Sequence, residues 1–261
     1  MVFINDLSPI LVNVGGFEIH WYGAFFATGI LLNYFILTYL FKKHKHPVTD
    51  LDSLAVYLFF GLVIGARLGH IFFYEADYYL SNPVEILKIW NGGLASHGAL
   101  IGLFIAYFIW LKVHKIKFTK YADLLVIAMP LTGAFVRLGN YFNSEIVGKP
   151  TGNDFGVVFR RLGEDFPRHP VQLYESIMGL VVFVVLWILY KKYYRNAKPL
   201  YLLFTFLFLY FGGRFIAEFF KDLQGPLDMP ITMGQLLSII PVLAAVIYFI
   251  FFYPKLNRRH S

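Results

Sequence analysis

The chain has no cysteine, which excludes disulfides, thiolate metal sites and an enzyme thiol nucleophile, so any thiol chemistry must come from a substrate. Charge is also scarce, at 15% of 261 residues, which is too little to solvate the surface of an ordinary soluble domain of this length. No carboxylate cluster offers an obvious magnesium site, so neither a metal nor another cofactor is expected. The first twenty residues lack a basic n-region and an A-x-A cleavage site, and no cleaved signal peptide is expected. No fixed-period repeat and no low-complexity linker interrupts the chain, so a single domain over 1–261 is the simplest description.

What fills the chain instead is apolar: 58% hydrophobic residues, 20% aromatics and a mean hydropathy of +0.60. Seven apolar segments, at 18–41, 51–74, 93–112, 119–142, 170–190, 199–220 and 232–253, are each long enough to cross ~30 Å of hydrocarbon. The expected fold is therefore an all-α polytopic membrane protein with seven transmembrane helices. A net charge of +7 could suggest nucleic acid, but fourteen of the twenty-three basic residues sit in short loops after segments one, three and five and in the C-terminal tail. Only Asp50, Asp52 and Asp123 are acidic on that side, against thirteen carboxylates on the other. The positive-inside rule then places the N-terminus outside and the C-terminus in the cytoplasm. Topology accounts for the charge, and no nucleic-acid partner is expected. Two longer outer segments, 76–92 (acidic and aromatic) and 143–169 (rich in glycine and proline), are expected to form a small extracytoplasmic cap, with Val157 and Val158 in a short strand.

The polar residues of the spans gather at the outer ends. His20 and Tyr22 open the first, Arg67 and His70 end the second, His97 opens the third and Arg137 with Asn140 ends the fourth. Gln172 and Glu175 open the fifth, Arg214 and Glu218 end the sixth and Gln235 opens the seventh. Arg137 follows seventeen mostly apolar residues at 119–135, and on a helix it shares a face with Asn140. Guanidinium plus amide suits a phosphate, although a lone arginine at a helix end equally serves by snorkelling to headgroups. Tyr210, Arg214 and Glu218 are successive i, i+4 positions, which fits either a helix-stabilising ion pair or a ligand contact. His97 fits either a loop hydrogen bond or a proton acceptor, with Ser96 or Asn91 to orient the ring. Three outer arginines, Arg67, Arg137 and Arg214, around one cavity at headgroup depth would bind a phospholipid. A transporter is the main alternative, but paired broken helices are not evident.

The stretch V-R-L-G-N-Y-F-N-S-E-I-V-G at 136–148 closely resembles the signature of the prolipoprotein diacylglyceryl transferase family. The resemblance extends through H-W-Y-G at 20–23, G-G-L-A-S-H-G at 92–98, R-H-P-V-Q-L-Y-E at 168–175 and G-G-R-F-I-A-E-F-F at 212–220. Val136 stands where the signature has glycine, and Tyr141 where it has phenylalanine. The resemblance implies an enzyme of the bacterial cytoplasmic membrane that moves diacylglycerol from phosphatidylglycerol to the lipobox cysteine of a prolipoprotein signal peptide, releasing glycerol 1-phosphate. By the same motifs, Arg137, Asn140, Glu145 and Gly148 match the signature's functional positions, and Tyr22, His97, Tyr210, Arg214 and Glu218 match those of the other segments. The expected catalytic set is His97, Arg137, Arg214 and Tyr22, and the lipid-binding set is Arg137, Asn140, Glu145, Gly148, Tyr210, Arg214 and Glu218. His97 is the first candidate for the base, because an imidazole has a reference pKa of about 6.5. Glu145 and Glu218 are expected to be held acidic by arginine partners.

Overall fold

A computed structural model describes residues 1–152, 154–222 and 231–254, with the side chains of Asn91 and Ser96 outside that description. The basic tail residues Lys255, Arg258 and Arg259, which entered the charge argument, also lie outside it. Every expected apolar segment forms a helix: α1 (Trp21–Lys43), α2 (Val48–Tyr74), α4 (Ser96–Val113), α5 (Ala122–Phe142), α6 (Val171–Tyr193), α7 (Tyr201–Ala217) and α8 (Met233–Ile247). An eighth helix, α3 (Ala76–Ser81), is short. Six of the helices are long and apolar enough to cross a membrane, with α7 and α8 prolonged by single turns, whereas α4 is apolar but shorter. The chain is thus a multi-pass helical membrane protein, with six such spans among the described residues.

The chain divides into two compact units, Met1–Leu37 with Tyr121–Ser261 and, separately, Thr38–Lys120. The first is built around α5, the most buried of the spans. Its first-turn carboxylate, Asp123, accepts hydrogen bonds from the Leu200 and Leu203 amides at 2.7 and 2.9 Å, so one helix caps the orphan N–H groups of α7. Thr132 on the same helix accepts from Asn33 and donates to the Gly29 carbonyl, fastening α1 to α5 through polar contacts that lipid cannot supply.

This unit also contains strands that were not foreseen. β2 (Ile10–Val14) and β3 (Phe17–His20) form a hairpin closed by Gly15 and Gly16, whose φ values of 59° and 91° suit a tight hairpin turn. His20 therefore ends a strand, and the first helix starts at Trp21 rather than at 18. β1 (Val2–Asn5) runs parallel to β4 (Gly156–Phe159), which contains the expected Val157 and Val158. β4 is wholly buried, and Val147, Val157, Phe159 and Tyr141 pack together beside it. Asn5 donates to the Tyr141 carbonyl at 2.9 Å, so the N-terminal strand ties segment 143–169 to the end of α5.

In the second unit α2 and α4 cross through glycine. A Cβ on Gly102 would lie 2.0 Å from the Gly61 carbonyl oxygen, and one on Gly65 would lie 2.5 Å from that of Gly98. Gly61, Gly65 and Gly69 face Gly98, Gly102 and Ala106, a small-xxx-small arrangement that gains van der Waals contact where lipid removes the hydrophobic drive. Arg67 near the end of α2 is 4% exposed and donates to the carbonyls of Glu85, Ile86, Lys88, Gly92 and Gly93, with Tyr79 against its face. The third expected phosphate arginine is consequently a structural clamp on segment 76–92: its donors are spent on backbone oxygens.

Candidate active site

Four helix ends and one irregular segment of the first unit bring the charged residues together. The last turns of α5 hold Arg137 and Asn140, in the i, i+3 relation the sequence predicts, and Arg137 Nη1 donates to Asn140 Oδ1 at 3.1 Å. Asn140 Nδ2 donates to Glu145 Oε2 at 3.1 Å, and Asn143 Nδ2 to its other oxygen at 3.3 Å. Glu145 is therefore held by amides, not by the arginine expected for it. Its backbone carbonyl accepts from Gln172 Nε2 at 2.7 Å, which fastens the segment to α6. Ser144 follows the helix with a φ of 56°, and its buried hydroxyl has no partner among the described residues.

Arg137 takes its carboxylate from α6. Its Nε lies 2.8 Å from Glu175 Oε2, close enough for an ion pair but not aligned for a hydrogen bond. The other oxygen of Glu175 accepts from Lys221 Nζ at 3.0 Å, and Lys221 also donates to Glu218 Oε2 at 2.9 Å. The expected Arg214–Glu218 pair does not form. Helix α7 ends at Ala217 and Glu218 opens a 3₁₀ turn, so the carboxylate swings to Lys221 three residues on. Arg214 Nε is buried without a hydrogen-bond partner among the described residues. Tyr210, one turn earlier, lies within the fields of Arg137, Glu175 and Arg214, and Tyr22 within those of Glu145 and Arg137.

Glycines set these approaches. A Cβ on Gly139 would lie 3.0 Å from Tyr22 Cα, so α1 and α5 touch where the two functional stretches meet. A Cβ on Gly148 would lie 2.4 Å from the His169 carbonyl and 2.7 Å from that of Phe220. Gly148 pairs with Lys221 in a β-bridge, and Lys149 N–H donates to the Phe220 carbonyl at 2.8 Å. Arg168, 8% exposed, binds both oxygens of Glu164, Asp222 Oδ2 at 2.6 Å and the Gly148 carbonyl at 3.0 Å. The Glu164 hydrogen bonds, foremost, and the Asp222 contact raise its already high pKa, so it is a permanent cation.

His97 belongs to the second unit, at the start of α4. Its ring is exposed and meets Phe73 edge-on at 5.0 Å and Tyr74 at 5.7 Å. The ring has no hydrogen-bond partner among the described residues, and the Ser96 and Asn91 side chains expected to orient it lie outside them. Neither does any group of three or more His, Asp or Glu side chains, among the described residues, have the geometry to hold a metal ion.

Sequence reasoning placed Glu175 at this level without giving it a role and passed over Lys221 and Arg168. Lys221, three residues beyond Glu218 and away from the basic loops, was the available signal for a local carboxylate partner.

A chain of apolar spans with arginine, lysine and carboxylate side chains gathered at helix ends belongs to the class of multi-pass helical membrane proteins. The chain matches the family model of prolipoprotein diacylglyceryl transferase over residues 9–251, and it belongs to that family. It is 45% identical over 250 residues to the phosphatidylglycerol--prolipoprotein diacylglyceryl transferase of Tolumonas auensis, covering 95% of this chain and 96% of the relative. It is 42% identical to the enzyme of the same name from Chloroherpeton thalassium, covering 93% and 91%, and 36% identical to that of Rhodospirillum rubrum, covering 94% and 92%.

Proposed function

We propose that this protein transfers the diacylglyceryl group of phosphatidylglycerol to the lipobox cysteine of a prolipoprotein signal peptide, the first step of bacterial lipoprotein maturation. The observation that supports this reading best is Arg137 at a helix end, paired with Asn140 and only partly engaged by Glu175, with Arg214 Nε unpartnered in the same unit. A guanidinium held in this way suits an incoming phosphate.

The reaction is a displacement at carbon. The cysteine thiol loses its proton, the thiolate attacks the glyceryl carbon that carries the phosphate ester, a C–S bond forms and the C–O bond breaks. Glycerol 1-phosphate leaves with the electron pair. Arg137 and Arg214 hold the phosphate, and their charges stabilise the leaving group as its negative charge grows. Asn140 and Glu145 orient Arg137, while Tyr22, Tyr210, Gly148 and Glu218 line the lipid headgroup. His97 accepts the thiol proton.

The proposed setting is the bacterial cytoplasmic membrane, with the N-terminus outside, the C-terminus cytoplasmic and the site toward the outer face. In this reading α4 is a seventh span, the chain works as one transmembrane domain, and segments 76–92 and 143–169 form a small outer cap. The test is a membrane assay with phosphatidylglycerol and a lipobox peptide. Thioether-linked product is expected; folded protein that binds the lipid but yields no thioether would make it a lipid-binding or lipid-transport protein instead.

A further inference from the structure

Lys221 is a buried lysine, 8% exposed, that no step of the proposed reaction uses. Its ammonium lies between two carboxylates, 3.0 Å from Glu175 Oε1 and 2.9 Å from Glu218 Oε2. Left to themselves, a carboxylate and a guanidinium close into a fork, with both oxygens on two N–H groups. Glu175 and Arg137 are near enough to do so, with Oε2 2.8 Å from Nε, yet that oxygen accepts no hydrogen bond among the described residues. The second oxygen is already occupied by Lys221.

We infer that Lys221 is a positioning residue that keeps Glu175 from closing a two-bond fork on Arg137, leaving the guanidinium open to a lipid phosphate. The inference rests on the proposed function and adds a residue to it. A lysine suits the task because its ammonium is a point donor that serves two carboxylates in different directions. The backbone fixes the lysine in place. Its amide donates to the Glu218 carbonyl at 3.2 Å, it bridges Gly148, and the next residue is tied through the Asp222 amide to the Val147 carbonyl and through its carboxylate to Arg168. The signature loop and the Glu218 turn therefore set the position of Lys221 together, and a shift of either changes how far Glu175 can reach.

The experiment compares wild type, K221M, K221R and K221M/E175Q in detergent, measuring folding by thermal denaturation, direct binding of short-chain phosphatidylglycerol, and turnover. In K221M the freed carboxylate closes on Arg137. Lipid affinity should fall about tenfold, the scale of one charge-assisted hydrogen bond, and KM for the lipid should rise with it, while kcat per folded enzyme changes little. Adding E175Q should restore affinity, because a neutral amide competes for the guanidinium far more weakly than a carboxylate does. K221R should keep most of the affinity. Unchanged affinity in folded K221M, or no recovery in the double variant, overturns the inference. If K221M does not fold, E175Q alone decides: binding at least as tight as wild type supports the role, and weaker binding removes it. Wild type that binds lipid without making thioether removes the transferase reading and leaves the binding comparison intact.

Discussion

Arg137 on α5 and Glu175 on α6 form an ion pair at 2.8 Å, with only 15% of the arginine side chain and 3% of the carboxylate exposed. A pair this buried punishes the loss of one member, because the survivor is left as an uncompensated charge. Substitution by alanine would thus confuse folding with function. Lysine separates them: it still neutralises Glu175 but has no planar fork for phosphate. Arg137→Lys is expected to keep the fold and lose turnover by roughly 100-fold, the scale of removing one preorganised charge-stabilising donor. Arg214→Lys is expected to lose a similar amount. Wild-type turnover in both lysine variants would take the phosphate role away from them.

Six of the seven expected spans were legible in the sequence because apolar runs respond directly to the bilayer, and Arg137 with Asn140 was legible because a helix fixes its own i, i+3 neighbours. The Arg214–Glu218 pair was misread for the same reason: the spacing rule holds only while the helix continues, and α7 stops at Ala217. Lys221 and Glu175 are 46 positions apart, so no local periodicity could join them. Arg67 shows a further limit. Depth in an apolar run marks an expensive cation, but not whether its partner is a ligand or five carbonyls of its own chain. The hairpin at Ile10–His20 carried a signal in its Gly-Gly pair, overshadowed by the hydrophobic stretch that follows.

The α2–α4 crossing predicts a sharp response to small additions. Gly102→Ala places a methyl 2.0 Å from the Gly61 carbonyl oxygen, and backbone on both sides leaves no flexible side chain to move. The cost should be about 1–3 kcal/mol, as for other overpacked contacts. Gly212→Ala on α7 meets nothing within 4 Å and serves as the control. Thermal denaturation in detergent should lower the midpoint for Gly102→Ala and leave Gly212→Ala near wild type. Equal midpoints would mean that the helices do not approach through glycine.

Orientation is open to a clean measurement because the chain has no cysteine of its own. Single cysteines at Lys45, between α1 and α2, and at Asp165, before α6, should label oppositely with a membrane-impermeant maleimide on intact cells. Asp165→Cys is expected to react from outside and Lys45→Cys only after permeabilisation. The reverse pattern would invert the topology and place the Arg137 end of α5 at the cytoplasmic face.

His97, the proposed base, is exposed at the start of α4 with Phe73 and Tyr74 as its ring neighbours. Among the described residues these aromatic contacts are its neighbours, and they leave its nitrogens unoccupied. A proton acceptor needs that arrangement: a placed ring with a free lone pair. A residue that only binds lipid or loop would commit the same nitrogens to a hydrogen bond instead. Kinetics tell the two apart. Under saturating substrates, with chemistry rate-limiting, His97→Gln should lose roughly 100-fold or more in kcat, the usual scale of general-base catalysis, with little change in KM. A free thiol has a reference pKa near 8.5, so the residual rate should climb with pH as thiolate forms without help. A His97→Gln enzyme with near-normal kcat and a raised KM would instead make His97 a binding residue, and the thiolate would then have to form in the field of the arginines alone.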